Sequence, residues 1–336
     1  MRVVLMSRDP NQRRPKMFPP PEFPPRKLPL FARMPPAVFP VVLGMLGLAL
    51  ALKRASIVAQ VPEGLADLVM GLVAGLWLFC TLAYAIKIAR RPGVVTEDLR
   101  ILPGRAGLAA ATVGALAFAA MLGFFAPQAA KGVLVLGLVL QGALALLMVR
   151  SLLAAPPEGR DVTPVWHLAF VGFIVGALAA VPLGWEGLAL IILWTTMPVA
   201  VGIWGVSLWQ LALRIPPAPL RPLLAIHLAP ASLFASVAGL LGMTFLAQAM
   251  VVLAFAIAIA LLVVHRWIGQ AGFTPLWGAF TFPAAAFASA LLINGWVMGG
   301  VLVTVLTLGA IPAIALRVLR MWTAGTLASK TNAATA

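Results

Sequence analysis

The chain has 336 residues, of which 62% are apolar and 10% charged, with a mean hydropathy of +1.04 and a formal charge of +15. A soluble domain holds about 45–50% apolar and about 25% charged residues, so one aqueous core could not bury this much apolar surface, and the natural unit here is the membrane span. The basic excess raises nucleic acid as a partner, but no platform combines aromatic with basic residues, which argues against one.

Residues 1–35 stand apart. Ten of the 28 prolines fall by residue 36, beside Arg2, Arg8, Arg13, Arg14, Lys16, Arg26, Lys27 and Arg33. Proline at this density excludes helix, and Pro19-Pro20-Pro21 and Pro24-Pro25 occupy the place where a secretory signal needs about 7–15 apolar residues. The expectation is a disordered basic tail near anionic lipid headgroups, in preference to a Pro-rich ligand for a partner module.

From residue 36 apolar stretches recur, each about 17–25 residues long and able to cross a hydrocarbon layer of about 30 Å as a helix. Ten are expected, at 36–52, 65–87, 106–126, 132–153, 165–183, 187–212, 223–243, 246–264, 275–293 and 296–316. They define a membrane domain over 36–320, followed by a short tail at 321–336. Pro, Gly and charged residues mark the turns, as at Arg90-Arg91-Pro92-Gly93 and Ile215-Pro216-Pro217-Ala218-Pro219. Very short connections after Leu183, Met243 and Asn294 pair the spans as antiparallel hairpins, five in all. Of the 24 Lys and Arg, only Lys53, Arg54 and Lys131 fall on the side opposite the tail; the other 21 put both termini in the cytoplasm.

All nine acidic residues (Asp9, Glu22, Glu63, Asp67, Glu97, Asp98, Glu158, Asp161 and Glu186) lie in the tail, in connections or in the first turn of a span. Cation-coupled carriers rely on an intramembrane carboxylate, and cation pores on acidic rings. Neither can be built here, which leaves a neutral or anionic solute in an uncharged lumen. Of the three histidines only His227 is expected inside the bilayer, with no Asp, Glu, Cys or second His at ligand spacing, so neither a metal nor another cofactor is expected. Ser207, Ser232, Ser236 and Ser289 have no base beside them in the sequence, so no enzyme is expected either. His227 then reads as a structural or pore-facing polar group.

Pro40, Pro198, Pro230, Pro283 and Pro312 fall inside spans, where each removes a backbone hydrogen bond. Pro40, Pro230 and Pro283 belong to the first members of hairpins. Two readings are open: these kinks line a central path made polar by freed carbonyls, or they are ordinary kinks that aid packing.

The run Phe39-Pro40-Val41-Val42-Leu43-Gly44 resembles a helix 1 signature of the tellurite-resistance/dicarboxylate transporter (TehA-type) family, which includes the plant slow-anion channels. His227-Leu228-Ala229-Pro230-Ala231 is similar to that family's helix 7 segment, and Phe273 to Pro283, with Trp277 and Phe280-Thr281-Phe282, to its helix 9 pattern. The resemblance implies an all-α transmembrane fold of ten helices, arranged as five hairpins about a pseudo-fivefold pore, and a homotrimer with one pore per subunit in a bacterial-type inner membrane. It implies permeation of small inorganic anions such as chloride and nitrate, with Phe282 as gate, Phe39 as its aromatic neighbour, and Pro40, Pro230, Pro283, Thr281 and His227 along the pore. The rivals are a carrier or exporter of tellurite or C4-dicarboxylates, and a non-transporting membrane scaffold or sensor.

Overall fold

The computed structural model describes residues 28–336, so the expected tail lies outside the described residues except for its last few positions. Among the described residues there are helices and no strands. The spans are α1 (Pro36–Val58), α2 (Gly64–Arg90), α3 (Leu102–Leu122), α4 (Pro127–Ala154), α5 (His167–Ala180), α6 (Glu186–Leu213), α7 (Ala218–Leu240), α8 (Thr244–Val263), α9 (Pro275–Ile293) and α10 (Val297–Thr323). Nine of these are long and apolar enough to cross a membrane; α5 is shorter. The unbroken helix expected over 165–183 is corrected to a wide π turn at His167–Val171 followed by α-helix at Ile174–Ala180.

Burial sorts the long spans into two classes. The most apolar stretches of α1, α3, α7 and α9 are 72–83% buried, against 17–33% for α2, α4, α6, α8 and α10. The odd spans close a ring: α1 packs on α3 and α9, α5 on α3 and α7, and α7 on α9. Each even span packs on the odd span before it and touches the odd span that follows around the ring, with α10 reaching α1. This pair of contacts repeats five times, which is the geometric content of five hairpins about a pseudo-fivefold axis.

Residue size explains the sorting. The inner spans are rich in Ala and Gly, which let backbones approach where hydrocarbon supplies no drive for apolar association. Outer spans present Leu146, Phe245 and Met298 outward, as a lipid-facing shell requires. At the α1–α9 crossing a Cβ on Gly44 would collide with the Thr281 side chain, and one on Gly47 would stand 3.0 Å from the Phe282 ring. Thr281 is fully buried there, and its hydroxyl donates to the carbonyls of Pro40 (3.1 Å) and Gly278 (2.7 Å).

Opening α5 into a π turn leaves carbonyls without the regular helical donors. Gln141, buried on α4, supplies them: its Nε2 donates to the carbonyls of Leu168 (2.9 Å) and Ala169 (2.8 Å), while its Oε1 accepts from Thr112 Oγ1 (2.6 Å). Gln141→Leu strands these buried groups, at about 1–3 kcal/mol per unsatisfied group. The expected result is a lower thermal midpoint in detergent, with a smaller drop for Gln141→Asn.

Phe31–Ala336 forms one packed unit. The Ala336 N–H donates to Ala32 O at 3.0 Å, and a short helix at Thr326–Lys330 buries Leu327 and Ala328.

Candidate functional site

Three small cavities lie along the axis of the inner ring, and Phe282 borders all of them. The first, of about 30 Å³, opens toward the ends at which the odd spans begin, the end carrying most of the basic residues. Its wall includes Pro40, Leu43, Ala106, Ile226, Ala229 and Pro283. The second, of about 20 Å³, lies beside α5 and is lined by Val113, His167, Val175, Pro230 and Leu233. The third, of about 10 Å³, lies toward the far end, among Gly47, Leu50, Arg54, Ser236, Ala286 and Ser289. One water-sized sphere needs about 10–15 Å³, so none of the three holds a hydrated ion as it stands.

The sequence around Phe282 explains how the ring reaches the axis. Pro275–Phe280 is a 3₁₀ segment, and α-helix begins at Thr281 with Pro283 in its first turn. The same change occurs ahead of Pro40, after Pro36–Val38, and ahead of Pro230, after Ala218–His227. A 3₁₀ turn bonds each carbonyl three residues on, so the carbonyl that a proline cannot serve finds an earlier donor. Thus Phe39 N–H donates to Pro36 O. The first cavity is accordingly walled mainly by apolar groups, which favours the reading of these prolines as kinks that aid packing.

The expected site residues divide between axis and packing. Pro40, Pro283 and Pro230 line the cavities with Phe282. Phe39 does not sit beside Phe282 as expected: it is buried against α2, its ring edge-on to Tyr84 with centroids 6.0 Å apart. Consecutive helical residues diverge by about 100°, so with Pro40 on the axis Phe39 turns away from it. Thr281 faces α1 through the bonds described above.

His227 faces the gap between spans. Its Nδ1 lies 3.0 Å from His167 Nε2, its Nε2 lies 2.9 Å from Ser207 Oγ, and its carbonyl accepts from Trp204 Nε1 at 3.2 Å. The expectation of a lone intramembrane histidine is thus corrected: the π turn of α5 carries His167 inward, and α6 brings Ser207 to a histidine nitrogen. The chain stitches α5, α7 and α6 together. No group of three or more His, Cys, Asp or Glu able to hold a metal occurs among the described residues.

Arg54 was counted in the sequence only as a charge on the far side. Gly47, Leu50 and Arg54 are spaced by three and four, the repeat of one helical face, and all three line the far cavity. That repeat was readable in advance.

A ring of buried helices inside an apolar outer shell is the architecture of a multi-pass membrane protein. The family model SLAC1, described as voltage-dependent anion channel, matches residues 33–326, and the chain belongs to that family. The motifs at 39–44, 227–231 and 273–283 resembled the same group. No curated protein matches the chain.

Proposed function

We propose that the protein is an anion channel or channel-like transporter that passes small monovalent anions such as chloride and nitrate along the axis of each subunit, with Phe282 as the side chain that shuts it. The observation that carries this reading is the position of Phe282 at the meeting point of three cavities whose described walls hold no carboxylate. An aromatic ring across a narrow apolar lumen blocks by filling it and by dewetting what remains. Membership of an anion-channel family supports the same reading.

The assembly inferred with it is a homotrimer in a bacterial-type inner membrane, both termini in the cytoplasm, with no catalytic activity and no nucleic-acid partner. Carriage of tellurite or C4-dicarboxylates is the weaker reading, since among the described residues no carboxylate for a coupling cation lines the three cavities.

The test is the reversal potential of the purified protein in planar bilayers under a potassium chloride gradient. Reversal at the chloride potential is expected. Reversal at the potassium potential overturns the proposal, and solute uptake without current turns it into a carrier.

A further inference from the structure

The far cavity holds a charge that the fold leaves unanswered. Among the described residues, the Arg54 guanidinium has no hydrogen-bond, ion-pair or ring partner. Its neighbour Lys53 behaves differently. Lys53 Nζ donates to Asp67 Oδ1 at 2.6 Å and also pairs with Glu63, so both nearby carboxylates are engaged toward the start of α2.

Two hydroxyls share the cavity with Arg54. Ser236 Oγ donates to Ser232 O at 2.9 Å. Ser289 Oγ has no partner among the described residues and keeps its proton free. A half-buried guanidinium with no counter-charge is costly inside a protein, and the groups sharing its cavity offer donors and no carboxylate. An anion from solution would meet both needs.

We propose that Arg54, with Ser289, forms an anion site on the far side of Phe282, occupied by one small monovalent anion, and that it sets the charge selectivity of the path. This rests on the axis being the anion path. One uncompensated cation matches one negative charge, and the room available is that of about one water-sized sphere. A C4-dicarboxylate would need a second cation, and the nearest, Lys53, is already neutralised. A guanidinium hydrogen-bonds planar oxyanions in a fork as well as attracting halides by charge, so the donor chemistry suits nitrate and chloride alike; either takes more room than the cavity of about 10 Å³ offers with the Phe282 ring in place, and so enters as the ring leaves.

The experiment compares Phe282→Ala alone with Phe282→Ala carrying Arg54→Gln, Arg54→Lys or Ser289→Ala, each reconstituted in planar bilayers. With Arg54→Gln, anion conductance at about 0.01 M salt is expected to fall about threefold to tenfold, and the gap to close near 1 M, where the screening length shrinks to about 3 Å. The chloride-to-potassium permeability ratio falls toward parity in the same variant. Arg54→Lys keeps most of the ratio, and Ser289→Ala gives a smaller loss in the same direction, which reads out the site even where Arg54→Gln fails to fold. Unchanged low-salt conductance and permeability ratio in Arg54→Gln, or in Ser289→Ala where the glutamine variant is not recovered, overturns the site while leaving the pore in place. Absence of anion current in Phe282→Ala alone overturns the pore reading, and the site with it.

Discussion

Replacing Phe282 by Ala raises the anion current of the reconstituted protein at least about tenfold, the effect of lowering the permeation barrier by about 1.4 kcal/mol or more. The side chain is 6% exposed and borders the basic-end cavity, the α5 cavity and the far cavity at once. Removing the phenyl ring joins spaces of about 30, 20 and 10 Å³ that are separately too small for a hydrated ion. Backbone movement is not required, because the substitution only removes side-chain atoms. Single-channel recording of wild type and variant at matched protein density measures the change, and equal currents in the two would remove Phe282 from the gate. Phe39→Leu is the control: its ring packs on Tyr84 away from the axis, so it changes stability and leaves conductance as in wild type.

Span order and hairpin pairing were legible, because span length and connection length are local properties of the chain; the positions of Pro40, Pro230 and Pro283 within the spans were legible too, while the face they present was left open. The direction in which Phe39, Thr281 and His227 point was not. A 3₁₀ turn advances about 120° per residue against about 100° in an α-helix, so the six residues Pro275–Phe280 turn the face that follows by about a third of a circle. The π turn at His167–Val171 works in the opposite sense, which is how a residue assigned to a membrane end comes to touch His227. Gln141 was silent for a related reason: its role exists only because α5 is broken beside it. Arg54 differs from these, since its repeat with Gly47 and Leu50 is ordinary helical spacing. Attention to total charge hid it behind Lys53, whose charge the fold cancels.

The other large effect is on stability and falls at the basic end. Asp98 is fully buried: Oδ2 accepts from Lys87 Nζ at 2.9 Å and from Tyr84 OH at 2.8 Å, while Oδ1 accepts from the Ala334 N–H at 2.8 Å. Lys87, also fully buried, donates to Met34 O at 2.9 Å. One ion pair therefore ties α2, the segment entering α1 and the C-terminal segment into a single knot. Lys87→Met leaves the carboxylate without its counter-ion in a site closed to water, at a cost of about 3–5 kcal/mol. Lys87→Met combined with Asp98→Leu is expected to recover part of that loss, since no charge is then stranded, but not all of it, because Tyr84 OH and the Ala334 N–H lose their acceptor. Thermal unfolding in detergent of the two single variants and the double variant gives the coupling energy directly. Additive losses would mean that the pair contributes no mutual stabilisation and that the knot is held by the backbone contacts alone. The effect should leave the permeability ratio untouched, because neither residue borders the three cavities around Phe282, and that separates a failure of the fold from a failure of the path.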